Sequence, residues 1–419
     1  MEKLWIEGGV PLTGEVEISG AKNVVLPLMA VSLLADGIFA IEKVPALNDI
    51  KMMAHLLRVI GSKVDYSSKT KTMTIDNSYC SYYEAPYELV NKMRASIYVL
   101  SPLLARFGQA KVSLPGGCAI GPRPIDLHLK ALEQMGVKIE VNHGYIEAEV
   151  DRLKGAEIIF EKVSVGATVT VLMAAALAEG ETVIKNAAVE PEVMSVVACL
   201  NAMGGKIEKR GDSELRIIGV EKLRPITFKA IPDRIEAGTF LIAAAVTKGE
   251  VKITGCEPLH IEALIQKLKE AGCEVQAGDD WVKVSRKGDL KPVDIVTHPY
   301  PLFPTDLQAQ FVALMSLAKG TSVIEETIFA ERFHHVPELN RLDANIVVEG
   351  NKCIVTGVSK LSGAEVMATD LRASAALIIA GLAAEGVTKV SRIYHLDRGY
   401  ERIEVKLEKL GAKIKRIIA

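Results

Sequence analysis

Six stretches of the chain are apolar on nearly every helical face and stop at a glycine: residues 26–37, 97–108, 169–180, 240–249, 311–320 and 376–386. A helix with no polar stripe has to be buried on all sides, so these six predict core helices, each followed by a β-branched strand. Between them lies a second kind of helix with one charged face, as in Ile125-Asp-Leu-His-Leu-Lys-Ala-Leu-Glu-Gln-Met-Gly136 and in residues 260–272. Gly61, Gly204 and Gly411 hold the same place in other copies, and Asp343 stands there in the fifth. Every one of these terminal residues is expected in the left-handed conformation that closes a helix, which glycine adopts without strain and aspartate tolerates. The copies recur about every seventy residues, as the glycine numbers show. A buried helix, a surface helix and several strands per copy predict two globular lobes of three copies each, with helices inside and sheets packed over them. The repeat alone does not say where the lobes divide.

The residues leading into the core helices sharpen this picture. They read Gly20-Ala-Lys-Asn23, Lys92-Met-Arg-Ala-Ser96, Lys162-Val-Ser-Val-Gly-Ala-Thr168, Pro232-Asp-Arg-Ile-Glu236, Phe303-Pro-Thr-Asp306 and Thr369-Asp-Leu-Arg-Ala-Ser374. Ser, Thr, Asp and Asn are what helix capping alone requires, and Asp306 is also an ordinary first-turn acid. Lys22, Arg94, Lys162, Arg234 and Arg372 are not, because a helix N-terminus disfavours positive charge. Cations beside helix N-termini make a phosphate site, and five of six copies carry one.

One segment interrupts the repeat. Leu114-Pro-Gly-Gly-Cys-Ala-Ile-Gly-Pro-Arg-Pro124 holds three prolines and three glycines, and can be neither a helix nor an interior strand. It places the Cys118 thiol five residues from the Arg123 guanidinium, which can favour thiolate or hold an anion. Arg398 lies in a second polar cluster, residues 394–401, where a salt bridge to Asp397 or Glu401 is an equally good reading.

Composition removes other classes. The 419 residues are 49% hydrophobic and carry a net charge of −2 with no run of five like charges, which argues against nucleic-acid or membrane-surface binding. The first residues lack the apolar core of a signal peptide, and the longest apolar run is too short to span a bilayer. Six scattered cysteines suit a reducing cytoplasm. There is no metal-ligand spacing beyond the weak His334-His335, and neither phosphate-binding glycine motif.

Taken together the motifs resemble the enolpyruvyl transferase family, in the branch that acts on UDP-N-acetylglucosamine. The resemblance runs from Ile18-Ser-Gly-Ala-Lys-Asn23 to His395-Leu-Asp-Arg-Gly-Tyr-Glu-Arg402. It rests on Leu114-Pro-Gly-Gly-Cys118, Gly121-Pro-Arg-Pro124, Lys162-Val-Ser-Val-Gly166, Phe303-Pro-Thr-Asp306 and Met367-Ala-Thr-Asp-Leu-Arg-Ala-Ser374. It implies a two-lobed inside-out α/β barrel of six βαβαββ-like repeats, three per lobe, with the active site between the lobes. Residues 1–21 and 231–419 would form the lobe carrying Asp306, Asp370, Arg372 and Arg398. Residues 22–230 would carry Lys22, Arg94, the Cys118 loop and the Lys162 segment.

The implied reaction moves the enolpyruvyl group of phosphoenolpyruvate to the 3′-hydroxyl of UDP-N-acetylglucosamine and releases phosphate, the first committed step of peptidoglycan synthesis. No metal or cofactor is expected, and the small-molecule substrates are the only expected partners. A cytoplasmic location follows. A monomer is slightly favoured, and the oligomeric state stays open.

By the same resemblance Lys22, Asn23, Arg123 and Arg398 hold phosphoenolpyruvate, with Arg94 and Arg372 in support. Asn23, Arg94, Arg123, Pro124, Ile125, Asp126, Leu127, Lys162, Val163, Ser164, Val165, Gly166, Asp306 and Ile328 contact the nucleotide sugar. Cys118 protonates C3 or bonds covalently, and is the thiol that fosfomycin alkylates. Asp306 is the base for the sugar hydroxyl, and Glu190 and Asp370 support the site. The alternatives are the sister transferase acting on shikimate 3-phosphate and a catalytically silent nucleotide-sugar binder on the same scaffold.

Overall fold

The structure is a computed structural model and describes residues 2–90, 93–114 and 125–418. The described chain divides into two compact units, one built from residues 2–19 and 232–418 and the other from 20–114 and 125–231. Each unit contains three four-stranded sheets. The sheet of residues 157–218 displays the plan most simply. Its first strand, Glu157–Ile159, pairs in parallel with Glu181–Lys185 across the buried helix Val165–Ala175. After the second helix, Pro191–Ala202, the hairpin of Lys206–Arg210 and Glu214–Ile218 completes the sheet antiparallel. That is a βαβαββ unit, and the other five sheets repeat its strand order.

Three of the six sheets borrow a strand from far along the chain. Thr13–Glu17 leads the fourth sheet, pairing in parallel with Glu250–Thr254. Thr227–Lys229 leads the first, pairing in parallel with Ile38–Glu42. The N-terminal strand Glu2–Glu7 fills the fourth-strand position of the last sheet, antiparallel to both Val387–Ser391 and Lys413–Ile418. The two passages of chain from one unit into the other fall at Ser19–Gly20 and Ile231–Pro232. Ala21 N–H donates to the Ile231 carbonyl at 2.8 Å, and Asp233 N–H to the Ser19 carbonyl at 2.9 Å.

The apolar helices are buried as their composition requires. In the unit of residues 232–418, Arg234–Val246, Gln308–Met315 and Leu371–Ala383 touch one another pairwise at the centre of the core. In the other unit Lys22–Val31, Leu100–Phe107 and Val165–Ala175 share one core with the second helices packed around them. One second helix departs from the surface role expected of its class. Pro191–Ala202 is mostly buried, because its middle, Val193-Met-Ser-Val-Val-Ala-Cys-Leu200, offers no charged stripe. It packs instead against Lys22–Val31 and Val165–Ala175.

Helix closure corrects the expectation in part. The six second helices all end alike, with Gly61, Gly136, Gly204, Gly272, Asp343 and Gly411 at positive φ. In each, the next N–H reaches back five residues to a carbonyl, as from Gly205 to Leu200 at 2.9 Å and from Ala344 to Leu339 at 3.3 Å. Asp343 therefore takes the glycine role, at φ 65°. Of the glycines expected to close the core helices, only Gly108 directly follows one at positive φ. The others come after the helix has stopped, as at Gly180, five residues beyond Ala175. In the fourth copy the left-handed residue is Lys248 rather than Gly249. Gly249 is needed for a different reason: a Cβ there would lie 2.2 Å from the carbonyl oxygen of Leu12, the residue just before the borrowed strand.

Candidate active site

In the unit of residues 232–418 the polar ends of the core helices meet around Asp306. Pro304 is extended and stops the chain from entering the helix early, so Thr305–Leu307 forms one tight turn before Gln308–Met315. That turn presents the Asp306 carboxylate to two guanidinium groups. Arg332 Nη1 lies 2.8 Å from Oδ1, and Arg372 Nη2 lies 2.8 Å from Oδ2. Both arginines are buried, while the Asp306 side chain keeps 27% of its surface. Burial would raise the carboxyl pKa, but Arg372 and Arg332 outweigh it and hold the group well below its ordinary 3.8. Asp306 is thus an ionised carboxylate. It can accept a hydrogen bond from a hydroxyl, but it takes the proton only once the hydroxyl oxygen begins to form its new bond.

The partners of Asp306 are themselves held. Asp370 caps the Leu371–Ala383 helix, accepting from the N–H groups of Arg372 at 2.8 Å and Ala373 at 3.1 Å. This capping bond is the ordinary structural role open to it, and it fixes the backbone from which Arg372 projects. Arg332 donates to Thr305 Oγ1 at 2.9 Å, and Thr305 donates to the fully buried Glu326 at 2.8 Å. The second oxygen of Glu326 accepts from the N–H groups of Ile328 at 2.8 Å and Phe329 at 3.0 Å. Glu326 therefore shapes the loop that carries Ile328 and leaves that side chain partly exposed. Farther on, Asp397 binds Arg416 in a two-pronged pair at 2.7 and 2.9 Å. Arg398 is half-buried. Its charge adds to burial in lowering the pKa of His395, whose ring centre lies 4.3 Å from that of Tyr394, tilted by 40°.

The other unit holds the remaining described candidates. Lys22 opens the first core helix and pairs with Asp49 at 3.2 Å, both side chains nearly buried, while Asn23 beside it is exposed. Ser164 caps Val165–Ala175 by accepting from Ala167 N–H at 3.2 Å, so capping is one role of the Lys162 to Gly166 segment. Lys162 itself is exposed, and Val163, Val165 and Gly166 are half-buried. A Cβ on Gly166 would lie 2.8 Å from Cε1 of His128, so only glycine lets that ring lie against the segment. His128 Nδ1 is 2.9 Å from Thr170 Oγ1. Burial, and then the charge of Arg94, depress the His128 pKa to about 4, so the imidazole is neutral. Ile125, Asp126 and Leu127 lead into the same helix as His128, with Asp126 exposed. Glu190 is buried and precedes Pro191–Ala202, its carbonyl accepting from Val193 N–H at 2.8 Å.

Cys118, Arg123 and Pro124 lie outside the described residues. The five other cysteines are all buried. Burial pushes the Cys199 and Cys353 thiols up to about 12 and Cys273 to about 11, which makes them poor nucleophiles. The cations expected to share one role also differ: Arg234 lies 5.8 Å from the Tyr300 ring, whereas Lys22 and Arg372 face carboxylates. No local sequence pattern singles out Arg332, Glu326 or His128. The signal available for Glu326 and Arg332 was the long connection, residues 326–335, between a strand and the second helix of the fifth copy.

The profile of the family described as EPSP synthase (3-phosphoshikimate 1-carboxyvinyltransferase) matches residues 6–407. A protein of Shewanella amazonensis named UDP-N-acetylglucosamine 1-carboxyvinyltransferase is 56% identical over 419 residues, the whole of both chains. A protein of the same name from Shewanella piezotolerans is 55% identical over the same length. Among solved structures, the enolpyruvyl transferase NikO from Streptomyces tendae matches with a TM-score of 0.91 at 28% identity, over 100% of this chain and 99% of that one. EPSP synthase from Acinetobacter baumannii matches in fold over 100% of both chains, with a TM-score of 0.78 at 18% identity. With six βαβαββ sheets, the Asp306 cluster and relatives this similar from end to end, the chain belongs to the EPSP synthase family of enolpyruvyl transferases.

Proposed function

We propose that this protein transfers the enolpyruvyl group of phosphoenolpyruvate to the 3′-hydroxyl of UDP-N-acetylglucosamine, releasing phosphate, at the entry to peptidoglycan synthesis in the cytoplasm. The observation that carries the choice of acceptor is the 56% identity, over the whole chain, to a relative named for that sugar nucleotide. The division of labour is the one that the family resemblance implies. Lys22, Arg123 and Arg398 hold the phosphate and carboxylate of phosphoenolpyruvate, with Asn23, Arg94 and Arg372 in support. The Arg123 to Leu127 segment, Lys162 to Gly166, Asp306 and Ile328 hold the nucleotide sugar.

Cys118 delivers a proton to C3 as the sugar oxygen bonds to C2, and Asp306 accepts the hydroxyl proton as that bond forms. The second half of the reaction removes a proton from C3, restores the double bond and expels phosphate. An ionised Asp306 between two arginines suits this sequence, because its proton affinity is too low to trap the proton early. Cations around the phosphate stabilise the leaving group and the charge that develops on the way.

Phosphate release measured with phosphoenolpyruvate and each acceptor in turn tests the reading. Turnover is expected with UDP-N-acetylglucosamine and not with shikimate 3-phosphate. Turnover with shikimate 3-phosphate alone would overturn it, and binding of the nucleotide sugar with no phosphate release would favour the silent binder.

A further inference from the structure

Tyr400 is almost fully buried, two residues after Arg398, with its hydroxyl at the junction of three helices. The protons around that hydroxyl can be assigned. Thr239 Oγ1 donates to the Ile235 carbonyl at 2.7 Å, so its one proton is used. At 2.9 Å from Tyr400 Oη, Thr239 must therefore accept, and the phenol donates to it. The phenolic lone pairs are left to receive Arg372 Nη1 at 3.2 Å, and Gln310 Nε2 lies 3.3 Å from both the phenol and Thr239 Oγ1. Gln310 Nε2 also donates to the Asp306 carbonyl at 3.0 Å. The Arg372 guanidinium carbon lies 5.6 Å from the centre of the Tyr400 ring.

Arg372 is thus pinned at both terminal nitrogens, Nη1 by the phenol and Nη2 by Asp306. Of its five N–H donors these bonds use two, and the rest keep the orientation that the two anchors impose. We propose that Tyr400 is a positioning residue for the transfer reaction, which aims the Arg372 guanidinium at phosphoenolpyruvate through a hydrogen bond received from Nη1. The inference rests on the function proposed above. The phenol acts only as an uncharged acceptor, and burial raises its pKa, keeping it protonated.

The test is Tyr400→Phe, which keeps the ring and removes the acceptor. The KM for phosphoenolpyruvate is expected to rise about tenfold, the worth of one hydrogen bond to a charged donor. The dissociation constant for UDP-N-acetylglucosamine should stay within about twofold. A role in folding alone would not produce that split. The decisive arm is a double-mutant cycle: in an Arg372→Lys background, Tyr400→Phe should add less than about twofold, because the interaction it removes is already lost. An unchanged phosphoenolpyruvate KM in Tyr400→Phe, or a full tenfold effect in the Arg372→Lys background, would overturn the proposal. If Tyr400→Phe does not fold, Thr239→Val takes its place. It keeps the phenol but removes the acceptor that orients it, and a rise of about threefold in the same KM is expected, with no rise contradicting the assignment. A wild type that releases no phosphate with UDP-N-acetylglucosamine would instead sink the function, an outcome read before any variant is made.

Discussion

The two units repeat one backbone plan and fill it with different chemistry. In the unit of residues 232–418 the polar ends of the core helices are tied by a buried network in which Arg372, Tyr400, Thr239 and Gln310 share hydrogen bonds and Asp306 lies between two guanidinium groups. In the unit of residues 20–231 the helix Val165–Ala175 is tied to Asp126–Gln134 by a neutral imidazole on a threonine, and Lys162 and Asn23 are exposed. Duplication copied the frame and left the side chains at equivalent positions to diverge. Where a carboxylate must stay ionised under partial burial, its counter-charges are built into the core. Lys162, at the start of a core helix in the other unit, instead stands in water. Substitutions in the first unit should therefore disturb stability and activity together, and those at the exposed cations of the second should disturb binding alone.

The largest effect expected is at Asp306. Asp306→Asn leaves Arg332 and Arg372 buried without their counter-charge, and removes the group proposed to accept the hydroxyl proton. Phosphate release should fall about a thousandfold. Stability to urea should fall by about 2 kcal/mol, less than for a fully buried pair because Asp306 is 27% exposed. Loss of turnover with unchanged stability would show that the ion pairs are not structural.

The two buried histidines, one in each unit, come next. The pKa of His128 and of His335 is lowered to about 4, in both cases mainly by burial. A group whose folded pKa is depressed stabilises the fold above its unfolded pKa of about 6.5, and that contribution drains away as pH falls toward 4. Between pH 7 and 4.5 the wild type should lose about 2 kcal/mol more than His128→Gln does, read from urea unfolding at each pH. Equal losses would mean that His128 is not buried neutral.

Lys162→Gln sharpens the contrast from the other side. Affinity for UDP-N-acetylglucosamine should fall about tenfold, and urea stability should stay within about 0.5 kcal/mol. A large loss of stability there would erase the distinction between the units. The smallest effect is at Asp343, where φ is 65°. Asp343→Gly should stabilise the protein by less than about 1 kcal/mol without touching phosphate release.

Much of the frame is legible in the sequence because it is written in periodicity. All-round apolar segments can only be core helices, and the glycines that close the second helices mark the repeat. The strand exchanges are not legible. Glu2–Glu7 buries Leu4 and Ile6 like any half-buried strand, and nothing in it says that its partners are Val387–Ser391 and Lys413–Ile418. Lys248 and Gly249 show the same limit, since the glycine answers to a strand more than two hundred residues away.

At the site, Asp306 and Arg372 stand out because they sit at equivalent helix starts. Arg332 comes from a loop of one copy, and Tyr400 is an aromatic whose hydroxyl matters only once three helices surround it. Partners chosen by tertiary approach leave no local pattern.

That cations carried on both units serve the same phosphoenolpyruvate is tested most directly by steady-state kinetics of Lys22→Gln and Arg398→Gln, one residue from each unit. Both should raise the KM for phosphoenolpyruvate tenfold or more while shifting UDP-N-acetylglucosamine binding by less than about threefold. If either variant releases phosphate with wild-type KM and kcat, that residue does not hold the substrate and the joint role of the two units is contradicted.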